Sequence, residues 1–127
     1  MGKLGRCLHL SAAAMICLSS AQAKADDGWQ KVGVGAVEMT LDDTEVSYGA
    51  ARQVFYKSGR TLYDAGRPSW GYWRAQAGQY CSEWPPQAGW TCYDLYVSQD
   101  GAAVKFVGTN GRDVSVGEIT ARQVAEP

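Results

Sequence analysis

The residue types that carry most enzyme chemistry are scarce in this chain of 127 residues. Its single histidine, His9, and two of its four cysteines, Cys7 and Cys17, lie within the first 23 residues. The other two cysteines are Cys81 and Cys92. If the N-terminal segment is removed, neither a Ser-His-Asp nor a Cys-His catalytic arrangement can be built. A zinc or haem site that depends on histidine is then excluded as well.

Carboxylate chemistry stays possible, because acidic residues occur at Asp42, Asp43, Asp64, Glu83 and Asp94. Two of them could in principle form the acid pair of a glycoside hydrolase. Single acids of this kind are usually solvated side chains on turns or outer strand faces. We therefore predict a non-catalytic protein without cofactor or bound metal, and keep a carboxylate-based glycan hydrolase as an alternative.

The N-terminus has the three parts of a secretory signal peptide. Lys3 and Arg6 give a positive start, residues 8–18 form an apolar stretch, and overlapping small-x-small sites follow within residues 21–25. The apolar stretch is shorter than the roughly 20 residues that a membrane-spanning helix needs. We expect cleavage after residue 23, or alternatively after residue 25, and a mature protein that is periplasmic or secreted.

Removal of residues 1–23 takes away two of the 12 basic residues and none of the 13 acidic ones, which leaves a net charge of −3. A weakly acidic surface argues against nucleic acid and anionic membrane as partners, because both select for basic patches. Cys81 and Cys92 are then the only cysteines. An oxidising compartment favours a disulfide between them.

From Thr44 onward, turn signals such as Asp100-Gly101 and Asn110-Gly111 recur roughly every 7 to 14 residues, a spacing typical of hairpin-connected strands. The intervening segments are rich in β-branched and aromatic residues. The sequence therefore predicts an all-β fold, an antiparallel meander of about seven or eight short strands over residues 44–120 that closes into a small barrel or a sandwich. We interpret residues 24–43 as a polar leader followed by an ambiguous segment, and residues 121–127 as a polar tail.

Alternation along the strand at residues 69–74 separates two faces. Gly71 and Trp73 share one face, which we assign to the core. Trp70, Tyr72 and Arg74 share the other face. We expect this second face to expose its rings and to contact a ligand or partner, since a soluble monomer gains nothing by displaying them.

Trp84 and Trp90 flank Pro85 and Pro86 between the two cysteines. They can pack over the disulfide or form an exposed, rigid knob, and we include both among the candidate binding residues. The sequence thus predicts a binding module for an unknown protein or glycan. The alternative is an inhibitor of a periplasmic hydrolase, a protease or lysozyme, that uses the 81–92 loop, because a closed, proline-bearing loop is pre-organised for an enzyme cleft.

Short motifs between residues 48 and 117 are the most distinctive part of the chain. They are GRTLY at 59–63, Gly-x-Trp at 71–73, YCSEWPP at 80–86, WTCY at 90–93 and VKF at 104–106. This pattern resembles a family of small exported proteins of unknown function in Gram-negative bacteria, and it covers a little over half of the chain. The resemblance implies an exported, disulfide-linked, β-rich protein and supplies no activity or site residue.

We predict that processing leaves a chain that begins at Lys24 or Asp26, because of the three-part N-terminus. Mass spectrometry of a periplasmic extract should show a mass without the first 23 or 25 residues. An exported protein that still carries Met1 would contradict this prediction.

Overall fold

The structure is a computed structural model that describes residues 27–127, so the predicted signal peptide lies outside the described residues. The described part contains nine strands and one short helix. In chain order they are β1 (Trp29–Lys31), α1 (Val37–Leu41), β2 (Thr44–Ser47), β3 (Arg52–Phe55), β4 (Arg60–Asp64), β5 (Pro68–Gln76), β6 (Gln79–Glu83), β7 (Thr91–Ser98), β8 (Ala103–Gly108) and β9 (Val114–Ala121).

Strands β2 to β9 form a meander in which every strand pairs antiparallel with the next. The last strand pairs with the first, since Ser47 lies opposite Glu118 and Val46 lies opposite Ile119. This contact closes an eight-stranded barrel and leaves β1 as an extra strand on β7. The all-β prediction is confirmed, and of the two predicted architectures the structure is the barrel. Closure pairs both edges that an open sheet would expose.

The segment before Thr44 contributes to the domain, although the sequence left its structure open. It supplies β1 and then α1, whose Val37 and Leu41 are fully buried in the main hydrophobic core. At the other terminus the Val124 N–H donates to the Asp43 carbonyl at 2.8 Å. The folded unit therefore extends beyond residues 44–120 on both sides.

Aromatic rings fill the centre of the barrel. Phe55 packs edge-on against both Trp73 and Tyr80, with ring centroids 5.8 and 5.4 Å apart. Phe106 packs against Tyr80 at 5.0 Å. Trp73 is only 4% exposed, and its indole N–H donates to the Tyr56 carbonyl at 2.8 Å. The assignment of Trp73 to the core is confirmed.

Trp70 lies on the outer face of the barrel, as alternation predicts, but it is half-buried there. Its ring stacks on Tyr56, with centroids 5.9 Å apart, and the Arg60 guanidinium lies 4.1 Å from the ring centroid. Tyr56, Val54 and Leu62 form a second hydrophobic cluster with this ring. The expectation of a freely exposed ring is therefore wrong for Trp70, because the outer face of β3 and β4 offers it apolar neighbours.

Cys81 and Cys92 form the predicted disulfide. They lie directly opposite each other on β6 and β7, with Cα atoms 4.0 Å apart. Cross-linking so short a loop stabilises a protein by about 3 kcal/mol in the chain-entropy description. The bond fixes both ends of the 84–90 turn to adjacent strands.

We predict that Trp73→Ala lowers the free energy of unfolding by about 3–5 kcal/mol, through lost transfer energy and a cavity. Trp70→Ala should lower it by about 1–2 kcal/mol, because only a half-buried stack and a cation–π contact are lost. Urea unfolding of both variants checks the comparison. Equal losses would contradict the division into inner core and outer cluster.

Candidate functional site at the open end of the barrel

The two ends of the barrel differ. One end carries α1, and its buried face joins the core beneath the β3–β4, β5–β6 and β7–β8 turns. The other end is framed by the β2–β3, β4–β5, β6–β7 and β8–β9 turns and holds a cavity that is open to solvent. The 84–90 turn, with the disulfide at its base, belongs to this open end. A meander forces this division, since alternate hairpins must lie at opposite ends.

The cavity has a volume of about 740 Å³, which lies within the range of about 300–1,000 Å³ that ligand pockets usually have. Its walls come from inward-facing strand positions and from the β8–β9 hairpin. The lining residues are Tyr48, Gln53, Tyr63, Ser69, Tyr80, Ser82, Trp84, Tyr93, Phe106 and residues 112–116. Aromatic rings therefore dominate the walls, with hydroxyl and amide groups between them.

Gln53 organises the base of the cavity. The Thr61 hydroxyl donates to the Val54 carbonyl at 2.8 Å, so its oxygen accepts from Gln53 Nε2 at 3.0 Å. This fixes the orientation of the Gln53 amide. Nε2 also donates to the Tyr80 hydroxyl at 3.1 Å, and Oε1 accepts from the Tyr48 hydroxyl at 3.1 Å. Both the nitrogen and the oxygen of the buried Gln53 amide thus have hydrogen-bond partners, which avoids the free-energy cost of burying an unpaired polar group.

Trp84 forms part of the cavity wall. Its indole N–H donates to the Ser82 hydroxyl at 3.2 Å, and its ring lies edge-on to Tyr63 with centroids 6.3 Å apart. The ring also lies on Gly71, where an added Cβ would come within 2.6 Å of ring atom Cε3. A glycine at position 71 is therefore required by the close approach of Trp84, a contact that strand alternation alone does not show.

The deep part of the cavity carries no charge. Burial raises the pKa of Tyr80 to about 12, and it raises the pKa of Tyr48 well above the ordinary value of 10. Both phenols are therefore neutral hydrogen-bonding groups at ordinary pH. The charged lining residues, Arg112 and Asp113, lie on the exposed β8–β9 hairpin at the rim.

The five predicted binding residues fall into separate places. Trp84 lines the cavity, and Trp70 belongs to the outer cluster with Tyr56. Tyr72 and Arg74 are exposed on the outside of β5, and the Arg74 guanidinium lies 4.0 Å from the centroid of the Trp90 ring. The predicted face thus holds one packed ring, Trp70, and two exposed side chains, Tyr72 and Arg74, while the two loop tryptophans separate to the cavity wall and the outer surface.

Sequence reasoning missed the tyrosines that line the cavity. Tyrosine is common in barrel cores, so the residue type alone does not show whether a ring fills the interior or lines a cavity. The tyrosines concerned are Tyr48, Tyr63, Tyr80 and Tyr93. The available signal was Gln53, a polar residue directly before the buried pair Val54-Phe55. Alternation puts it on the same face as Phe55, where a polar side chain needs a polar neighbour.

Comparison of the chain with protein families, with curated proteins and with solved structures finds no match. Within residues 27–127, no group of three or more His, Cys, Asp or Glu side chains could hold a metal ion. In the same described range, no helix is long and apolar enough to cross a membrane. The geometry of the cavity is therefore the basis for a functional interpretation.

We predict that stability falls as the pH rises from 10 towards 12. An unfolded tyrosine loses its proton near pH 10, whereas Tyr80 in the barrel keeps its proton up to about pH 12. The unfolded state then binds fewer protons, so the stabilisation by neutral Tyr80 is complete below pH 10 and is lost above it. Urea unfolding between pH 9 and 11.5 measures this slope.

Tyr80→Phe is expected to be less stable at neutral pH, because Gln53 loses a partner, and to lose less stability above pH 10. Tyr72→Phe, a change at an exposed ring, serves as the control and keeps the wild-type slope. If the stability of Tyr80→Phe falls with rising pH as steeply as that of the wild type, ionisation of Tyr80 is not the cause of the alkaline destabilisation.

Proposed function

We propose that this protein is a non-catalytic binding module of the periplasm or the extracellular space that holds an uncharged organic group in the barrel cavity. The observation that carries this proposal is the solvent-open cavity of about 740 Å³ with aromatic walls and an uncharged base. An open concavity of this size, with a few polar groups set among aromatic side chains, is typical of ligand-binding sites.

The chemistry of the walls supports an uncharged, partly aromatic ligand. Rings of Tyr63, Trp84, Tyr93 and Phe106 offer faces and edges for stacking. The hydroxyl groups of Tyr63 and Tyr93 make no side-chain hydrogen bond with another of the described residues, so they are free to bond a ligand. A charged ligand group would lose its hydration at the base without meeting an opposite charge, which is costly.

The outer surface of the 84–90 turn supports one second candidate, a hydrolase inhibitor. Residues 85–89 are exposed, and the Glu83 carboxylate accepts a hydrogen bond from the Gly89 N–H at 2.7 Å, which braces the turn. A braced, exposed turn can enter an enzyme cleft with little loss of entropy. This candidate places the contact on residues 85–89, outside the cavity, and so differs from our proposal in the residues that a partner would shield.

A carboxylate-based hydrolase receives less support. Such an enzyme needs two facing carboxyl groups about 5–9.5 Å apart in a cleft, and Asp113 is the one carboxylic acid that lines the cavity within the described residues. Glu45 and Asp64 do come close together on the outer surface, but both form ion pairs with Arg52, at 3.0 and 3.8 Å. We therefore do not propose this activity.

We predict saturable binding of N-phenyl-1-naphthylamine, an uncharged aromatic dye whose fluorescence rises in apolar surroundings. Ser115→Trp should weaken this binding at least about tenfold, a loss of about 1.4 kcal/mol, because the new ring points into the cavity. Glu118→Trp is the matched control, since it adds the same ring on the outer side of the same strand. Fluorescence titration gives both dissociation constants.

Wild-type protein that shows no saturable signal would contradict the proposal. The same holds if Ser115→Trp binds the dye as tightly as Glu118→Trp does. Far-ultraviolet circular dichroism of both variants establishes that each retains the barrel, so that a lost signal reports on the cavity.

A further inference from the structure

Strand β9 extends beyond its partner β2 at the open end. Residues 114–118 pair with β8, but the pairing with β2 begins only at Glu118, opposite Ser47. Gly117 is buried against Ser47 and Tyr48, whereas residues 114–116 have a strand neighbour on one side only. At a rise of about 3.3 Å per residue, this free edge is about 10 Å long.

Backbone hydrogen bonds alternate between the two sides of β9, and this alternation shows which N–H and C=O groups face the free edge. The Gly108 N–H donates to the Asp113 carbonyl and the Ile119 N–H donates to the Ala102 carbonyl, both at 2.8 Å. Residues 113 and 119 thus bond towards β8, and so do the other odd-numbered residues between them. The N–H and C=O groups of Val114 and Val116 consequently point to the free edge.

This edge lacks the usual protection against strand pairing. Exposed edges are commonly blunted by lysine, by proline or by a bulge. Here the free positions are Val114 and Val116, each 51% exposed, with Ser115 between them and facing inward. Two β-branched residues that present unpaired donors and acceptors form a template for one further strand.

We propose that the free edge of β9 pairs with an extended peptide segment of a partner protein, and that the central side chain of this segment enters the barrel cavity. In strand addition, main-chain hydrogen bonds supply affinity and a pocket for alternate side chains supplies specificity. A peptide residue opposite Ser115 has its side chain on the cavity side, beside Tyr48 at the end of β2. This inference rests on the proposed function, because it assigns the uncharged group in the cavity to a peptide side chain.

The geometry favours a single strand over a second copy of the barrel. The added strand would continue the line of β2, directly beyond the turn at residues 48–51. That position lies in the wall of the barrel. A single extended segment fits there, whereas β9 of a second barrel would bring its own β8 and β2 against the same turn. The partner segment should carry a large uncharged residue at its centre, flanked by β-branched residues that lie beside Val114 and Val116.

The test uses an acetylated and amidated tetrapeptide with the sequence Val-Tyr-Val-Thr, which ends where Tyr48 occupies the position opposite Gly117, and the same peptide with glycine in place of tyrosine. Amide hydrogen exchange followed by NMR reports on individual backbone groups. Without peptide, the amides of Val114 and Val116 should exchange quickly and that of Ser115 slowly. The tyrosine peptide should slow exchange at Val114 and Val116, displace the naphthylamine dye, and bind at least about tenfold more tightly than the glycine peptide.

Val116→Pro provides the discriminating variant. It removes an N–H that faces the free edge and leaves the ladder with β8 intact, a position that tolerates proline. We expect it to bind the tyrosine peptide at least about tenfold more weakly than Val116→Ala, the matched variant that also loses the valine side chain but keeps the N–H. Equal peptide binding by the two variants would contradict strand pairing at this edge.

The outcomes separate this inference from the proposed function. If the dye binds but the peptide leaves exchange at Val114 and Val116 unchanged, the inference is overturned and the proposed function stands. If the dye fails to bind, the proposed function fails, and the placement of the central side chain in the cavity fails with it. If both amides are protected without peptide in a dimer seen by sedimentation, the edge belongs to a second copy and the peptide is excluded.

Discussion

Pairing of β9 with β2 closes the meander, and this closure fixes how much space the inward-facing side chains share. Every second residue of eight strands points into one interior. The pairing joins Ser47 to Glu118 and Glu45 to Ala121, positions at opposite ends of the folded chain. An open sheet would let the aromatic rings spread over a surface, whereas the barrel requires them either to fill its interior or to line it. The other features of the structure follow from how that requirement is met at each end.

At the end closed by α1 the interior is filled. Phe55, Trp73, Leu95 and Val104 pack there with the buried side of the helix, and all are at most 4% exposed. Gln53 marks the change to the open end, because its amide bonds Thr61 within the core and Tyr48 at the cavity. Above it the rings form walls around open space. Aromatic residues thus form the core at one end and the cavity walls at the other.

Sequence patterns predicted the strands and their faces well. Turn signals located the hairpins, and alternation placed Trp73 inside and Tyr72 outside, because these properties depend on neighbours within one strand. Closure into a barrel has no local signal, since it depends on the distant pairing of β2 with β9. The place of Trp84 in the wall likewise has no local signal. It depends on the fit of its ring over Gly71 on the neighbouring strand β5, and the spacing between the cysteines does not reveal that fit. The expected exposure of the Trp70 ring was wrong because β3 and β4 supply it with outer neighbours.

We propose the open half of the barrel interior, rather than the outer surface around Tyr72 and Trp90, as the binding site. Intermolecular NOEs between bound N-phenyl-1-naphthylamine and the protein test it most directly, since they locate the dye on named rings. We expect NOEs to the rings of Tyr63, Trp84 and Tyr93 in the cavity. NOEs confined to Tyr72 and Trp90, on the outer surface, would contradict it.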